Sequence, residues 1–154
     1  MVCQTMTERI KYKPDTLVEL QEQLALKNHI DEYHWLADCY RWEEWAALFT
    51  EDMIFTHVAS GQIVKGRKQA LDLLRPPVVE RFQRTQHVIV NLLFNLTGTH
   101  TAEGHGNLIF IGVEKSDAPH LNYKAGGFYQ WEFVKTDRWR TSRTALEFIW
   151  DSKD

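Results

Sequence analysis

Cysteine is scarce in this 154-residue chain, which has only two. Cys3 stands in a polar opening segment and Cys39 in a helical stretch, so neither a disulfide framework nor a multi-cysteine zinc site can be assembled. That usage suits a reducing compartment, and the expected location is cytoplasmic. Long hydrophobic runs are missing as well. The opening MVCQTMTERIKYKPD contains no apolar leader core, and nothing approaches the roughly eighteen apolar residues of a membrane span. Nor is there a basic excess: 18 Lys and Arg face 21 Asp and Glu, for a net charge of -3. A nucleic-acid partner would need a basic surface, so neither nucleic acid nor membrane is an expected partner.

The missing motifs narrow the chemistry further. The sequence has no Gly-rich phosphate loop, Rossmann fingerprint, Gly-x-Ser-x-Gly elbow or CxxC pair. Nucleotides and hydride cofactors lose support, and no cofactor is expected. The seven histidines, His29, His34, His57, His87, His100, His105 and His120, include no pair at the four-residue spacing of a zincin helix and no His-x-His on a strand. No metal is expected either.

Aromatic residues, by contrast, are plentiful: 12% of the chain, with six Trp, eight Phe and five Tyr. Such side chains either fill the core of a small domain or wall a pocket for a flat organic molecule. At roughly 150 residues per domain, the length predicts one domain with room for a core and one buried pocket. We place a flexible segment at 1–14 and the domain at 15–154.

Thr16, with Glu19 three residues on, forms a capping-box pattern, so a helix starts there. Leu17, Leu20, Leu24, Ile30, Tyr33 and Ala37 recur at near-helical steps and predict one apolar stripe running to about Cys39. A second helix is expected over Trp42 to Phe49. A strand pair follows over 53–58 and 62–64, then a third helix from Gly66 that Pro76 and Pro77 stop. Four long β-rich runs follow in series, His87 to Thr97, Gly104 to Val113, Tyr123 to Val134 and Trp139 to Trp150, and imply antiparallel pairing. Helices first and a meander afterwards is an α+β pattern, with helices on one face of a curved sheet.

Strict alternation in the strand from His87 puts Val88, Val90, Leu92, Phe94 and Leu96 on the core face. It puts His87, Ile89, Asn91, Leu93 and Asn95 on a half-polar face that meets solvent, a neighbouring subunit or a pocket mouth. In the strand from Gly104, His105, Asn107, Ile109 and Ile111 lie opposite Leu108 and Phe110.

Two residues stand out chemically. Asp38 ends the apolar stretch from Tyr33, where an unpartnered carboxylate is costly to bury; it is either a solvated helix-end residue or half of a pair. His87 opens an apolar strand, as a satisfied core histidine or as a base. If the two meet, Asp38 fixes the imidazole tautomer and favours its protonated form, which makes His87 a general acid or base near neutral pH. Arg41, beside Asp38, either orients an oxyanion or forms a surface ion pair.

The order Tyr33-x4-Asp38-x3-Trp42-x6-Phe49-Thr50-Glu51-Asp52-x-Ile54-Phe55, then Gly61 and Gly66, Arg84-Thr85-Gln86-His87, Gly127-Phe128-Tyr129 and Asp137-Arg138-Trp139 carries a resemblance. It is similar to the SnoaL-like branch of the nuclear transport factor 2-like superfamily, over about residues 17 to 150. Within that branch it looks most like scytalone dehydratase, bile-acid 7α-dehydratase and the hexachlorocyclohexane dehydrochlorinase type. The resemblance implies a cone-shaped α+β barrel, a strongly curved sheet wrapped around the long helix with a deep pocket at the open end. Lyases of that branch pair an Asp on the first helix with a His on the sheet, and these positions match Asp38 and His87. Tyr33 matches a pocket Tyr of the bile-acid enzyme, and His57 falls where both dehydratases have a Tyr that binds the substrate oxygen.

Departures are also visible. Gly112 stands where scytalone dehydratase has a second catalytic His, Phe128 where it has a pocket Asn, and Phe148 where the bile-acid enzyme has an Arg. A more apolar pocket follows, with Trp35, Phe55, Phe128, Phe148 and Trp150 as its expected walls. His105 or Asn107 would supply a polar contact if their strand is shifted by one or two pairs.

The function these residues predict is a cofactor-independent lyase or isomerase of dehydratase, ketoisomerase or cyclase type. It would act on a small, apolar cyclic hydroxy-ketone or phenolic metabolite, in secondary metabolism or the catabolism of aromatic compounds. Its catalytic residues would be Asp38, His87, Tyr33 and His57. The alternative is a non-catalytic small-molecule binder, or an assembly subunit such as the β-subunit of a ring-hydroxylating dioxygenase. Uncovered sheet faces predict a homo-oligomer, dimer or trimer.

Overall fold

The computed structural model describes residues 13–152; the segment before Lys13, including Cys3, lies outside them. The architecture is α+β, a long N-terminal helix and two further helices with one curved, unclosed six-stranded sheet. The elements run α1 (Leu17–Asp38), α2 (Trp42–Ala46), β1 (Phe49–His57), β2 (Gln62–Lys65), α3 (Arg67–Arg81), β3 (Arg84–Leu96), β4 (Thr101–Val113), β5 (Asn122–Lys135) and β6 (Trp139–Asp151). The sheet order is β2-β1-β6-β5-β4-β3. Strands β3 to β6 form the expected antiparallel meander, and β1 closes against β6 in parallel.

Helix α1 begins as its capping box predicts: the Glu19 N–H donates to Thr16 Oγ1 at 3.1 Å, and the Glu19 carboxylate accepts from the Thr16 N–H at 3.2 Å. The buried stripe differs from the expected one. Leu17, Leu20 and Leu24 are exposed, and the inward face is built from Leu26, His29, Ile30, Tyr33, His34, Leu36 and Ala37. Only the C-terminal half of the helix enters the cone, so the first three leucines of the periodic pattern have no sheet to cover them. Helix α2 is shorter than expected because the chain is already extended at Phe49. Helix α3 is longer, continuing through Pro76 and Pro77 to Arg81. Proline at a helix interior costs about 3 kcal/mol; here Pro77, with Leu74 and Val78, also contributes to the cavity described below.

The inner face of the sheet carries an aromatic ladder on β5, with Tyr129 stacked on Trp131 at 5.0 Å and Phe133 next along. Trp131, Phe133 and Phe49 are among the largest fully buried side chains. On β4 the inner row is Ala102, Gly104, Gly106, Leu108, Phe110 and Gly112. A Cβ at Gly112 would sit 2.4 Å from the ring of Phe82, which occupies the space a side chain would take.

In β3 the simple alternation fails, and the reason is local. Asn91 has φ 55, and the pairing with β4 slips between Val90 and Leu93. A bulge of this kind adds a residue to one strand and reverses the facing of everything beyond it. Thr85, His87 and Ile89 therefore share the inner side with Leu92 and Phe94, while Val90 and Leu93 turn outward and are each 40% exposed. Asn tolerates a left-handed backbone and a β-branched residue does not. Asn91→Gly is thus expected to leave stability nearly unchanged, whereas Asn91→Val should cost about 1–2 kcal/mol, read as the shift in urea midpoint. Equal midpoints for the two variants would show that the bulge is not held by this residue.

Candidate active site

Asp38 is the last residue of α1, and the way the helix ends places it. The Arg41 N–H bonds to the Leu36 carbonyl at 2.9 Å and the Tyr40 N–H to the Ala37 carbonyl at 3.1 Å, a Schellman ending. The left-handed position, usually glycine, is Tyr40 at φ 58. Its hydroxyl donates to the Phe82 carbonyl at 2.9 Å and its ring stacks on Trp42, contacts that offset the strain. The carboxylate is thereby held against the start of β3.

Three donors meet it there. The His87 backbone N–H donates to Oδ2 at 2.8 Å, the Thr85 hydroxyl to Oδ1 at 2.9 Å, and His87 Nδ1 lies 2.6 Å from Oδ1. Burial alone would raise the Asp38 carboxyl. The His87 side-chain hydrogen bond and charge, with the backbone and Thr85 bonds, outweigh it and hold the group below the usual carboxylate range. An ionised Asp38 requires the proton on Nδ1 of His87, so in the neutral ring Nε2 carries the lone pair. Side-chain exposure is 14% for His87 and 18% for Asp38, which shields the pair from bulk water without sealing it.

A second imidazole stands behind the first. His34 is buried, with its ring centroid 5.6 Å from that of His87. Its Nδ1 bonds to the Ile30 carbonyl at 2.9 Å, so Nε2 is an acceptor, and that atom has no partner among the described residues. Burial, aided by the nearby His87, drives its pKa down to about 3 against the opposing effect of the Ile30 bond. Tyr33 and Tyr129 sit against the same ring, at 4.5 and 5.5 Å. Burial pushes both phenols up, Tyr33 further through its closeness and hydrogen bond to Tyr129.

His87, Tyr33 and Tyr129 border a cavity of about 320 Å³ whose walls are largely aromatic and aliphatic. That volume, at the lower end of the range for ligand pockets, suits a one- or two-ring compound. Of the residues singled out in the sequence, Tyr33, Phe55, His57, His87 and Phe148 line it, with Asp38 behind His87. His57 bonds through Nδ1 to Ser60 Oγ at 2.9 Å.

The other expected wall and contact residues lie elsewhere. Trp35 is 68% exposed, because two residues along a helix turn the side chain about 200° away from Tyr33. His105 and Asn107 are on the outer face of β4, since its pairing with β5 runs without a slip and no register shift brings them inward. Phe128 is outward by the same alternation. Trp150 packs over Gly126 on the outside, because a bulge between Gly126 and Gly127 separates its facing from that of Phe148. Arg41 is exposed and bonds to Glu44. Conversely Trp42 and Trp45, expected as plain core, border the cavity, and their buried indole N–H groups have no partner among the described residues. Phe82 fills the place at Gly112.

Thr85, His34 and Tyr129 stand in the sequence without a site role assigned to them, and Arg81 was not singled out at all. Thr85 and Tyr129 carried a usable signal, being two residues from His87 and from Gly127 on their strands; His34, one helical turn before Asp38, carried another. Among the described residues no three His, Cys, Asp or Glu side chains converge as metal ligands, and no helix is long and apolar enough to cross a membrane.

The fold has many solved relatives. A candidate scytalone dehydratase from Novosphingobium aromaticivorans superposes with a TM-score of 0.78 at 23% identity, over 88% of this chain and 89% of that one. The hexachlorocyclohexane dehydrochlorinase LinA-type3 from Novosphingobium barchaimii gives 0.74 at 20% identity, over 88% and 92%. A candidate aromatic ring hydroxylase from N. aromaticivorans gives 0.72 at 20% identity, over 85% and 91%. At these identities the likeness establishes the fold. No curated protein matches the chain by sequence. The SnoaL-like domain model, however, matches residues 18–145. That span takes in nearly all of α1, strands β1 to β5, the first half of β6 and both residues of the Asp38–His87 pair, and the chain belongs to the SnoaL-like domain family.

Proposed function

We propose that the protein is a cofactor-independent lyase or isomerase that moves a proton on a small cyclic hydroxy-ketone or phenolic compound. The observation that carries this reading is the 2.6 Å contact between His87 Nδ1 and Asp38 at the wall of an apolar cavity. With Nδ1 held by the carboxylate, Nε2 of His87 takes a proton from the carbon next to a carbonyl, and Asp38 stabilises the imidazolium that forms. The charge that develops on the carbonyl oxygen is met by the Tyr129 hydroxyl, supported by Tyr33, or by His57. The imidazolium then returns its proton to a leaving hydroxyl, giving dehydration, or to another carbon, giving isomerisation or ring closure. The relatives of similar fold include proteins named for dehydration and dehydrochlorination, which fits loss of a proton and a leaving group.

The test is deuterium uptake at the carbons next to the carbonyl, followed by NMR across a panel of one- and two-ring hydroxy-ketones in heavy water. Uptake or elimination with at least one compound is expected. Tyr129→Phe, which keeps the ring stacked on Trp131, should slow it about 100-fold, the lower end of the range for losing one oxyanion donor. No uptake with any compound, or an undiminished rate in Tyr129→Phe, would count against the scheme as a whole or against that donor respectively.

The reading includes a homo-oligomer. Val90 and Leu93 on β3 and Ile109 on β4 are exposed apolar side chains on the outer face of the sheet, a surface that association would cover. Multi-angle light scattering should return a dimer or trimer; a monomer at micromolar concentration would refute it.

A further inference from the structure

Arg81 is the one residue among those lining the cavity that carries a permanent positive charge, and nothing in the proton-transfer scheme uses it. It ends α3 beside Phe82. Its Nε donates to Glu114 on the loop after β4 at 2.8 Å, and its guanidinium carbon lies 4.4 Å from the Tyr123 ring centre and 4.8 Å from that of Phe82. Phe82 and Tyr123 are themselves nearly parallel, and both line the cavity. The stem is therefore fixed on two sides: Glu114 takes one nitrogen, the aromatic pair supports the plane, and the two terminal nitrogens have no acceptor among the described residues. A guanidinium held in this way presents a two-pronged donor that matches a carboxylate.

Its distance from the Asp38–His87 pair has a geometric meaning. The His87 ring contacts Phe110 at 4.9 Å, Phe110 contacts Tyr123 at 6.2 Å, and Tyr123 carries the guanidinium. The wall between His87 and Arg81 is thus a run of aromatic rings in edge and tilted contact, along which a ring compound can lie with one end at each polar group. Phe110, Phe82 and Tyr123 contribute burial and stacking, Arg81 recognises the far end, and His87 meets the near end.

We propose that the substrate is a cyclic compound bearing a carboxylate on the side remote from the reacting carbon, and that Arg81 is the specificity residue that binds it. This rests on the cavity being the substrate site, as the proposed function holds, but its test needs no turnover. Calorimetric titration of the protein with 2-naphthoate and with the neutral isostere 2-naphthamide compares the two directly. The wild type is expected to bind the carboxylate at least 10-fold more tightly. Arg81→Met, which keeps an apolar stem, should lower naphthoate affinity at least 10-fold and change naphthamide affinity by less than twofold. Arg81→Lys should restore part of the preference, and Glu114→Gln should retain it, which separates recognition from a merely structural tie between α3 and Glu114.

Equal binding of the two compounds by the wild type would overturn the proposal, as would a parallel loss of both in Arg81→Met with the lysine variant folded by circular dichroism. Loss of the preference in His87→Ala, with Arg81→Met unaffected, would put the carboxylate at the imidazole and refute the assignment to Arg81. A carboxylate preference that follows Arg81 while the hydroxy-ketone panel shows no proton exchange would leave this inference standing and the catalytic reading refuted.

Discussion

Substituting His87 with alanine should lower the rate of proton exchange on a responsive substrate by roughly 10²- to 10⁴-fold, the usual worth of a positioned general base. Asp38→Asn should cost a comparable factor, although the side chain keeps its shape. The carboxylate accepts from the His87 ring, the His87 backbone N–H and the Thr85 hydroxyl. An amide accepts through one atom only and offers an N–H in place of the other. It can satisfy the ring only by turning its nitrogen on the His87 backbone N–H, or it meets Nδ1 with a donor and reverses the tautomer. In either arrangement the imidazolium loses its counter-charge. The two losses belong to one unit and should not add in the double variant. Circular dichroism and cavity binding of a two-ring compound should be close to wild type in both single variants. Full activity in either, with the fold intact, would end the proposed mechanism.

A large effect of a different kind is expected on acidification. His29 and His34 are buried on the inner face of α1. Burial, with Arg138 and Arg140 nearby, takes His29 from its ordinary 6.5 down to about 4; His34 goes to about 3. In the unfolded chain both rings take up a proton near 6.5, and in the folded chain only near these lower values. Between them the unfolded state binds more protons, so stability falls as the pH falls. By pH 4 the loss should amount to about 3 kcal/mol for each ring, a large fraction of the 5–15 kcal/mol of a typical domain. Asp38 acts lower: its folded carboxyl is depressed, so its contribution is present above the ordinary value of 3.8 and disappears only as the pH drops through the folded one.

The measurement is the urea midpoint from pH 7 to pH 4.5. The chosen replacements keep the hydrogen bonds but cannot titrate: His29→Gln for the Nε2 bond to Thr141, and His34→Asn for the Nδ1 bond to the Ile30 carbonyl. The wild type should weaken steeply over this window and the double variant much less. Parallel decline in the two proteins would show that the acid sensitivity has another source.

The capping box at Thr16 and Glu19, the α+β order, the four-strand meander and the residue types of the Asp38–His87 pair were all legible along the chain, because each depends on neighbours within a few residues or on a period. The pairing itself was legible only as a conditional, since 49 positions separate the two side chains. The bulge at Asn91 was not legible. One left-handed residue reverses the facing of a strand, and a strict period of two cannot register a change of phase. The same limit misplaced Trp150, while His105, Asn107 and Phe128 followed their alternation faithfully and were assigned to the cavity against it.

Trp35 and Tyr33 differ by a rotation that the helical period already contained. Arg81 needed the third dimension altogether, because it reaches the cavity only through a helix that continues past two prolines. Sequence by itself determined which secondary elements form and which ionisable groups are worth watching, through local propensity and capping. Tertiary structure alone decided which faces those groups share, because bulge phase, strand pairing and helix length are set by contacts between distant segments.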